Sequence, residues 1–190
     1  MLRSTLSLLV LLLVNSCTEQ KITSTPAGST PALSSPETGP ATTSPTFHKG
    51  IGSPIDRATA LRWIANFAKV NPTAPATEHF IDAGVLKRIV SNSTCVGVSL
   101  HYSRDGAGHL HIIPIGTDSN GKQIPNLGID IGDSTIDWQT QQRWITNYTG
   151  NVRSHFFGTQ TFSRLVQAEI VRITMALDDS GNPQLLLSDA

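Results

Sequence analysis

The residues best suited by type and spacing to do chemistry are His101, His109 and His111. All three carry odd numbers and flank the turn Arg104-Asp105-Gly106-Ala107-Gly108, so in an extended hairpin they share one face. A register that sets Tyr102 against Leu110 puts His101 opposite His111, with His109 two residues away. Imidazoles so placed can bind zinc, with a water or a carboxylate completing four ligands. A zinc hydrolase would also need a general base, and no spacing in the chain picks one out. The plainer reading is three histidines on the solvent face of a sheet.

A second set of candidates comes from internal repetition. Residues 53–67 read S-P-I-D-R-A-T-A-L-R-W-I-A-N-F and residues 134–148 read S-T-I-D-W-Q-T-Q-Q-R-W-I-T-N-Y. Eight of the fifteen positions are identical, including Arg, Trp and Asn, which is far above chance. Trp63 with Trp144 and Arg62 with Arg143 could line a symmetric groove, the arginines offering two parallel hydrogen bonds to a carboxylate. Structurally, Trp and Ile on a helix are core residues, Asn near a helix end caps it, and Arg runs along the edge. His79 and His155 each precede a phenylalanine, but no Ser or Cys nucleophile recurs with them. They are expected to hydrogen-bond neighbouring structure. The Asp-Gly stretches at 105–106, 118–121 and 178–181 lack the alternating ligands and closing Glu of a calcium loop and read as hairpin turns. The sequons at Asn92 and Asn147 read as accidental, and no phosphate loop or dinucleotide fingerprint occurs.

These residues need elements to carry them. Ser53 with Pro54 predicts a helix start, and Leu61, Ile64, Ala65 and Ala68 fall at helical spacing up to about Lys69, before Asn71-Pro72. A short helix is expected from Asp82 to about Ser91, with Val85, Leu86, Ile89 and Val90 on one side. The period then changes to two: residues 96–102 alternate as a half-buried strand and 109–115 return. A short third strand is expected at 123–125. From Ile136 the order recurs: a helix to about Tyr148, a short helix at 159–167, and strands at 171–177 and 184–187. The expected fold is α+β, with two tandem helix-helix-β-hairpin repeats (about 53–117 and 134–188) forming one pseudo-symmetric domain over 51–190. Its length allows one sizeable core.

Composition excludes some partners. Lys plus Arg and Asp plus Glu both total 14, for a net charge of zero, so there is no electrostatic case for nucleic acid. No cofactor is implied. Cys95, among Val96, Val98 and Leu100, is expected to be buried and inert. Residues 18–50 are dominated by Ser, Thr, Pro, Ala and Gly, with prolines at 26, 31, 36, 40 and 45, and are expected to form a disordered tether. Its reach is at most roughly 100 Å at about 3.1 Å per residue.

At the N-terminus, Arg3 precedes an apolar run from Leu6 to Val14 that is too short for a bilayer. The run ends in Val14-Asn15-Ser16-Cys17, which resembles a bacterial lipobox. The resemblance implies a signal peptide over 1–16, acylation of Cys17, attachment to a membrane through that lipid and, with Thr18 following, sorting to the outer membrane. The run His79-Phe80, the short helix, Cys95-Val96-Gly97-Val98 and the hairpin ending near residues 116–121 resembles a recurring module of Gram-negative surface lipoproteins. That likeness spans about a third of the chain and supplies location rather than chemistry. The expected function is a lipid-anchored, non-enzymatic binding or structural module of the cell envelope with a possible protein partner. Its contact surface is expected on the helical layer or in the seam between copies. The alternatives are a metal protein or metal-dependent enzyme using His101, His109 and His111, and an inhibitor or immunity-type protein.

Overall fold

The computed structural model describes Leu11–Leu13 and residues 47–190, apart from 75, 76, 127, 132 and 133. The rest of the expected signal peptide, Cys17 with its signature, and the expected tether up to residue 46 lie outside the described residues. The first half of the head contains β2 (Ser53–Ile55), α1 (Arg57–Val70), β3 (Glu78–Asp82), α2 (Ala83–Val90), β4 (Gly97–Arg104) and β5 (Leu110–Thr117). A connection follows through β6 (Gln123–Ile124) and β7 (Ile129–Ile131). The second half contains β8 (Ser134–Ile136), α3 (Trp138–Asn147), β9 (Ser154–Gly158), α4 (Thr159–Leu165), β10 (Ile170–Leu177) and β11 (Pro183–Asp189). Leu11–Leu13 forms β1, which pairs with both β2 and β11. The architecture is therefore mixed α and β, with four helices and antiparallel sheets among the described residues.

One sheet runs β2-β1-β11-β10-β3, a second runs β6-β5-β4-β9, and β7 pairs with β8 apart from both. The hairpins β4–β5 and β10–β11 do not pair with each other. Instead β3, from the first half, pairs along β10, and β9, from the second, pairs along β4. Helix α1 packs on β10, and α3 on β4. The odd-numbered Val171, Ile173, Met175, Leu185 and Leu187 join Val98, Leu100 and Tyr102 in one core, which α2 and α4 complete with Val85, Leu86, Ile89, Phe162 and Leu165. A smaller cluster of Ala60, Ala176 and Leu186, flanked by Trp63 and Ile64, lies under α1.

Several boundaries differ from the sequence expectation. Both long helices begin later, because the caps are Asp56 and Asp137, whose carboxylates accept the amides of Thr59 (2.9 Å) and Thr140 (2.7 Å). The residues before them, Ser53–Ile55 and Ser134–Ile136, are strands, so Ser53 is not a cap. The buried face of α1 is centred on Ala60, while Leu61 is 51% exposed. His79-Phe80 and His155-Phe156 lead into the short helices as expected, but they do so as strands, β3 and β9, which run directly into α2 and α4. These five-residue strands are too short for alternation to stand out. Strand β4 is buried on both faces over Gly97–Ser103, not half-buried, because α3 covers the side bearing Ser99, His101 and Ser103. The head also begins earlier, at Phe47, whose ring meets Phe156 edge-on at 4.9 Å. The short helix α4 has no side-chain cap, and the Lys49 carbonyl accepts the amide of Gln160 (3.0 Å) near its start.

Gly97 sits where β4 is flanked by both β5 and β9, and a Cβ there would collide with the Phe157 carbonyl and the Phe156 ring. Gly97→Ala is expected to loosen β9 from β4 and lower the urea midpoint. Phe162, wholly buried against Phe157, is expected to cost about 3–5 kcal/mol on truncation to Ala. Urea unfolding followed by tryptophan fluorescence checks both.

Candidate functional site

The hairpin turns explain where the acidic groups go. Asp105, Asp118 and Asp178 build the same turn three times. Each backbone amide donates to the carbonyl four residues on, and each carboxylate Oδ1 accepts the amides two and four residues on. Gly108, Gly121 and Gly181 take φ near +80° at the equivalent position (+88°, +79° and +82°), which a side chain rarely tolerates. These carboxylates are committed to their own loops.

Register then separates the histidines. Strand β4 pairs with β5 so that Tyr102 faces Ile112 and Ser103 faces His111, two residues away from the expected register. His101 therefore faces Ile113, not His111. The parity was right and the offset was not, because the five-residue turn at Asp105 closes the hairpin at Arg104 and Leu110. His109 falls outside the strand, in the turn. Its Nδ1 lies 3.0 Å from Asp105 Oδ2, and His111 Nε2 lies 3.2 Å from the same oxygen. His111 also stacks on Trp144, with ring centres 5.0 Å apart. His101 is buried elsewhere, 3.3 Å from the Gln123 amide nitrogen. Among the described residues, no group of three or more His, Cys, Asp or Glu side chains is arranged to hold a metal ion. The three-histidine zinc arrangement is thus not the one that forms.

A serine, an aspartate and a histidine do meet here, but not as a triad. Ser103 Oγ donates to the His111 carbonyl (3.1 Å) rather than to its ring, and Ser103 is wholly buried. Asp105 is only 17% exposed. Desolvation works against its charge, yet hydrogen bonds from His111 and from the His109 amide and ring hold its carboxyl well below the usual range. The arrangement locks the turn to the strand and leaves no nucleophile facing a base.

The repeated residues are likewise divided. Arg62 makes two parallel 2.8 Å bonds to Asp179 in the β10–β11 turn. Among the described residues, Arg143 donates to the Thr140 hydroxyl alone, at 3.4 Å. The residue in the β4–β5 turn that corresponds to Asp179, one after the turn aspartate, is Gly106, which has no carboxylate to offer. Trp63 packs in the small cluster under α1, and Trp144 against His111 and the main core, so the two indoles belong to different layers. The repeated asparagines act alike: Asn66 donates to the carbonyl of Leu177 (3.4 Å) and Asn147 to that of Arg104 (3.3 Å). Each carbonyl ends the strand on which its helix packs.

The remaining histidines are structural. His155, 1% exposed, places Nε2 3.3 Å from the Tyr102 hydroxyl, whose ring is sandwiched by contact with Tyr148 as well. Among the described residues, its buried Nδ1 has no hydrogen-bond partner. His79 Nε2 is buried without one too. Burial lowers the pKa of His79, His101 and His155 to about 4, with repulsion from His111 adding to the effect at His79. Cys95 is buried, its thiol donating to the Gly97 carbonyl (3.0 Å), and burial pushes its pKa up.

Among the described residues there is a cleft that could take a ligand. It measures about 280 Å³ and lies between α2 and the segment after β6, with Val85, Ile89, Gly116, Ile124 and Ile129 as its apolar wall and Arg88 among its lining residues. The sequence reading missed it because its walls come from a helix and a connection that share no local pattern. Set against known proteins, the chain matches no family model, no curated protein and no solved structure. Among the described residues, no helix is long and apolar enough to cross a membrane.

Three neutral histidines, His101 and His155 buried and His79 half-buried, give a pH signature. Unfolded, they titrate near 6.5; folded, near 4, so the unfolded state binds more protons between those values. Stability is therefore full above about 6.5 and falls as pH drops toward 4. His101 and His155 should each contribute on the order of 3 kcal/mol to that loss. Urea melts at pH 7.5 and 4.5 measure it, and His101→Gln is expected to flatten the dependence. Added zinc should leave the melting temperature of the wild type unchanged. A rise of several degrees that disappears in His111→Ala would restore the metal reading.

Proposed function

We propose that this chain is a lipid-anchored protein of the bacterial cell envelope whose head binds a ligand and does not catalyse. The observation that carries the non-catalytic part is the commitment of the reactive side chains. Asp105 engages His109 and His111, Gln123 engages His101, Tyr102 engages His155, and Cys95 is buried. A general base works by being free to exchange a proton with a bound substrate. Among the described residues, none of these groups lines the cleft beside Arg88, whose lining is apolar apart from Arg88 and asparagines at 92 and 126. That chemistry suits a small ligand with an apolar body and one acidic group, the guanidinium meeting the acid.

The head is read as two copies of a β-α-β-α-β-β unit. Three features support the duplication: eight shared residues in fifteen, the matched Asp caps and Asn tethers, and the reciprocal pairing of β3 with β10 and of β9 with β4. The anchor rests on Val14-Asn15-Ser16-Cys17, with residues 18–46 as the spacer that lifts the head from the lipid. Acyl chains at about 0.8 kcal/mol per buried CH₂ hold such a protein on a membrane.

Two measurements test this reading. Cells fed labelled palmitate should incorporate it into the wild-type chain and not into Cys17→Ser, which should leave the membrane fraction. In the purified head-bearing protein, medium-chain carboxylates such as octanoate should raise the melting temperature, and Arg88→Glu should abolish the rise. No palmitate incorporation would refute the anchor, and no response to any apolar acid would refute the cleft as a binding site.

A further inference from the structure

The strands β2 and β8 occupy the same place in the two fifteen-residue stretches: Ser53 matches Ser134, and Ile55 matches Ile136. Each has one strand running antiparallel beside it, and the registers correspond residue for residue. Beside β8, Ile131 faces Ser134, Asp130 faces Thr135 and Ile129 faces Ile136. Beside β2, Leu13 faces Ser53, Leu12 faces Pro54 and Leu11 faces Ile55. The fold thus holds a strand position next to this element twice. In the second half the chain fills it from a few residues upstream, with β7. In the first half the residues just upstream, Lys49 to Ile51, run instead to the start of α4 and the end of β9. The position is taken by Leu11–Leu13, from the apolar leader.

The far side of that position is β11. Leu12 faces Leu187, which is wholly buried between strands and core, as are its neighbours Leu185 and Leu186. Cutting before Cys17 removes β1. Among the described residues, strand β2 then has no strand partner, and β11 presents a bare edge of backbone N–H and C=O groups beside three leucines. Such an edge binds an extended chain through main-chain hydrogen bonds. The chain itself has no equivalent replacement. Between Cys17 and Pro45 its large aliphatic residues are Ile22 and Leu33 alone, among five prolines that cannot donate to a ladder.

We propose that the gap between β2 and β11 is a strand-acceptor site. The leader fills it before processing, and an extended apolar strand of another envelope protein fills it afterwards. The second step rests on the reading of Cys17 as a processing site. The acceptor itself does not, and is tested on purified chains.

Hydrogen exchange should be compared for residues 1–190 with the leader intact and for residues 17–190, using the amides of β4 as an internal reference. The amides of Leu186 to Ser188 that face β1 should exchange more than tenfold faster in the shorter chain, with β4 equally protected in both. A peptide of residues 8–16 carrying terminal lysines should restore their protection in trans, and the same peptide with Leu12→Pro should not. Four results would overturn the proposal: equal protection in the two chains, equal exposure in the two chains, loss of protection throughout β4 on truncation, or no rescue by the peptide. Palmitate labelling reports separately on Cys17, so a failed anchor and a failed acceptor give different results.

Discussion

Everything in this head depends on an exchange of strands. The hairpin β10–β11 is extended on one side by β3, ninety residues earlier in the chain, and the hairpin β4–β5 is extended by β9 from the later half. A lone two-stranded hairpin is marginal in water, and a third strand with a covered face makes it stable. Here the longest added strand comes from the other half each time, five residues of β3 or β9 against two of β6 and three of β1, so each sheet is completed across the boundary between halves. The helices follow the same rule. Helix α1 lies on β10 and α3 lies on β4, each across the boundary between halves. The two arginine-tryptophan helices are clamps holding one half to the other, which gives their repeated asparagines a reason beyond capping.

The second constraint is the neutrality of the buried polar groups. Covering β4 on both faces puts Ser99, His101 and Ser103 in the interior, where charge is costly and each polar atom needs a partner. Ser99 pairs with the Thr117 hydroxyl at 2.8 Å, Ser103 with a carbonyl, and His101 with Gln123, which is in turn held by Gln142 of α3. Under α3, Gln141 is likewise buried and bonded to Asn126 (3.1 and 2.8 Å). A layer of paired neutral groups therefore fixes α3 on its sheet, where a purely apolar contact would let it slide.

How much of this could be read from the residues divides along local and non-local lines. The short helices, the two hairpins and the turns at 105, 118 and 178 follow from period, caps and Asp-Gly chemistry, and each forms close to where expected. The three-residue difference in the start of α1 came from choosing Ser53-Pro54 over Asp56-Thr59 as the cap, although the Asp and the Thr were themselves among the repeated residues. The histidine site failed for a sharper reason. Parity fixes which face a residue joins, but the turn fixes the offset, and two residues of offset took His101 away from His111. Strands β3 and β9 were unreadable in principle, since their identity as strands comes from partners some ninety and fifty residues distant. The cleft beside Arg88 was hidden for the same reason.

The strand exchange also sets a timetable. Strand β3 has emerged from the ribosome long before β10 exists to receive it, and at about 5–20 residues per second the delay is on the order of ten seconds. Through that interval the first half holds an unfinished sheet, and contacts closed over such long loops form slowly. A chain built this way cannot complete either large sheet until the strands of its second half are made.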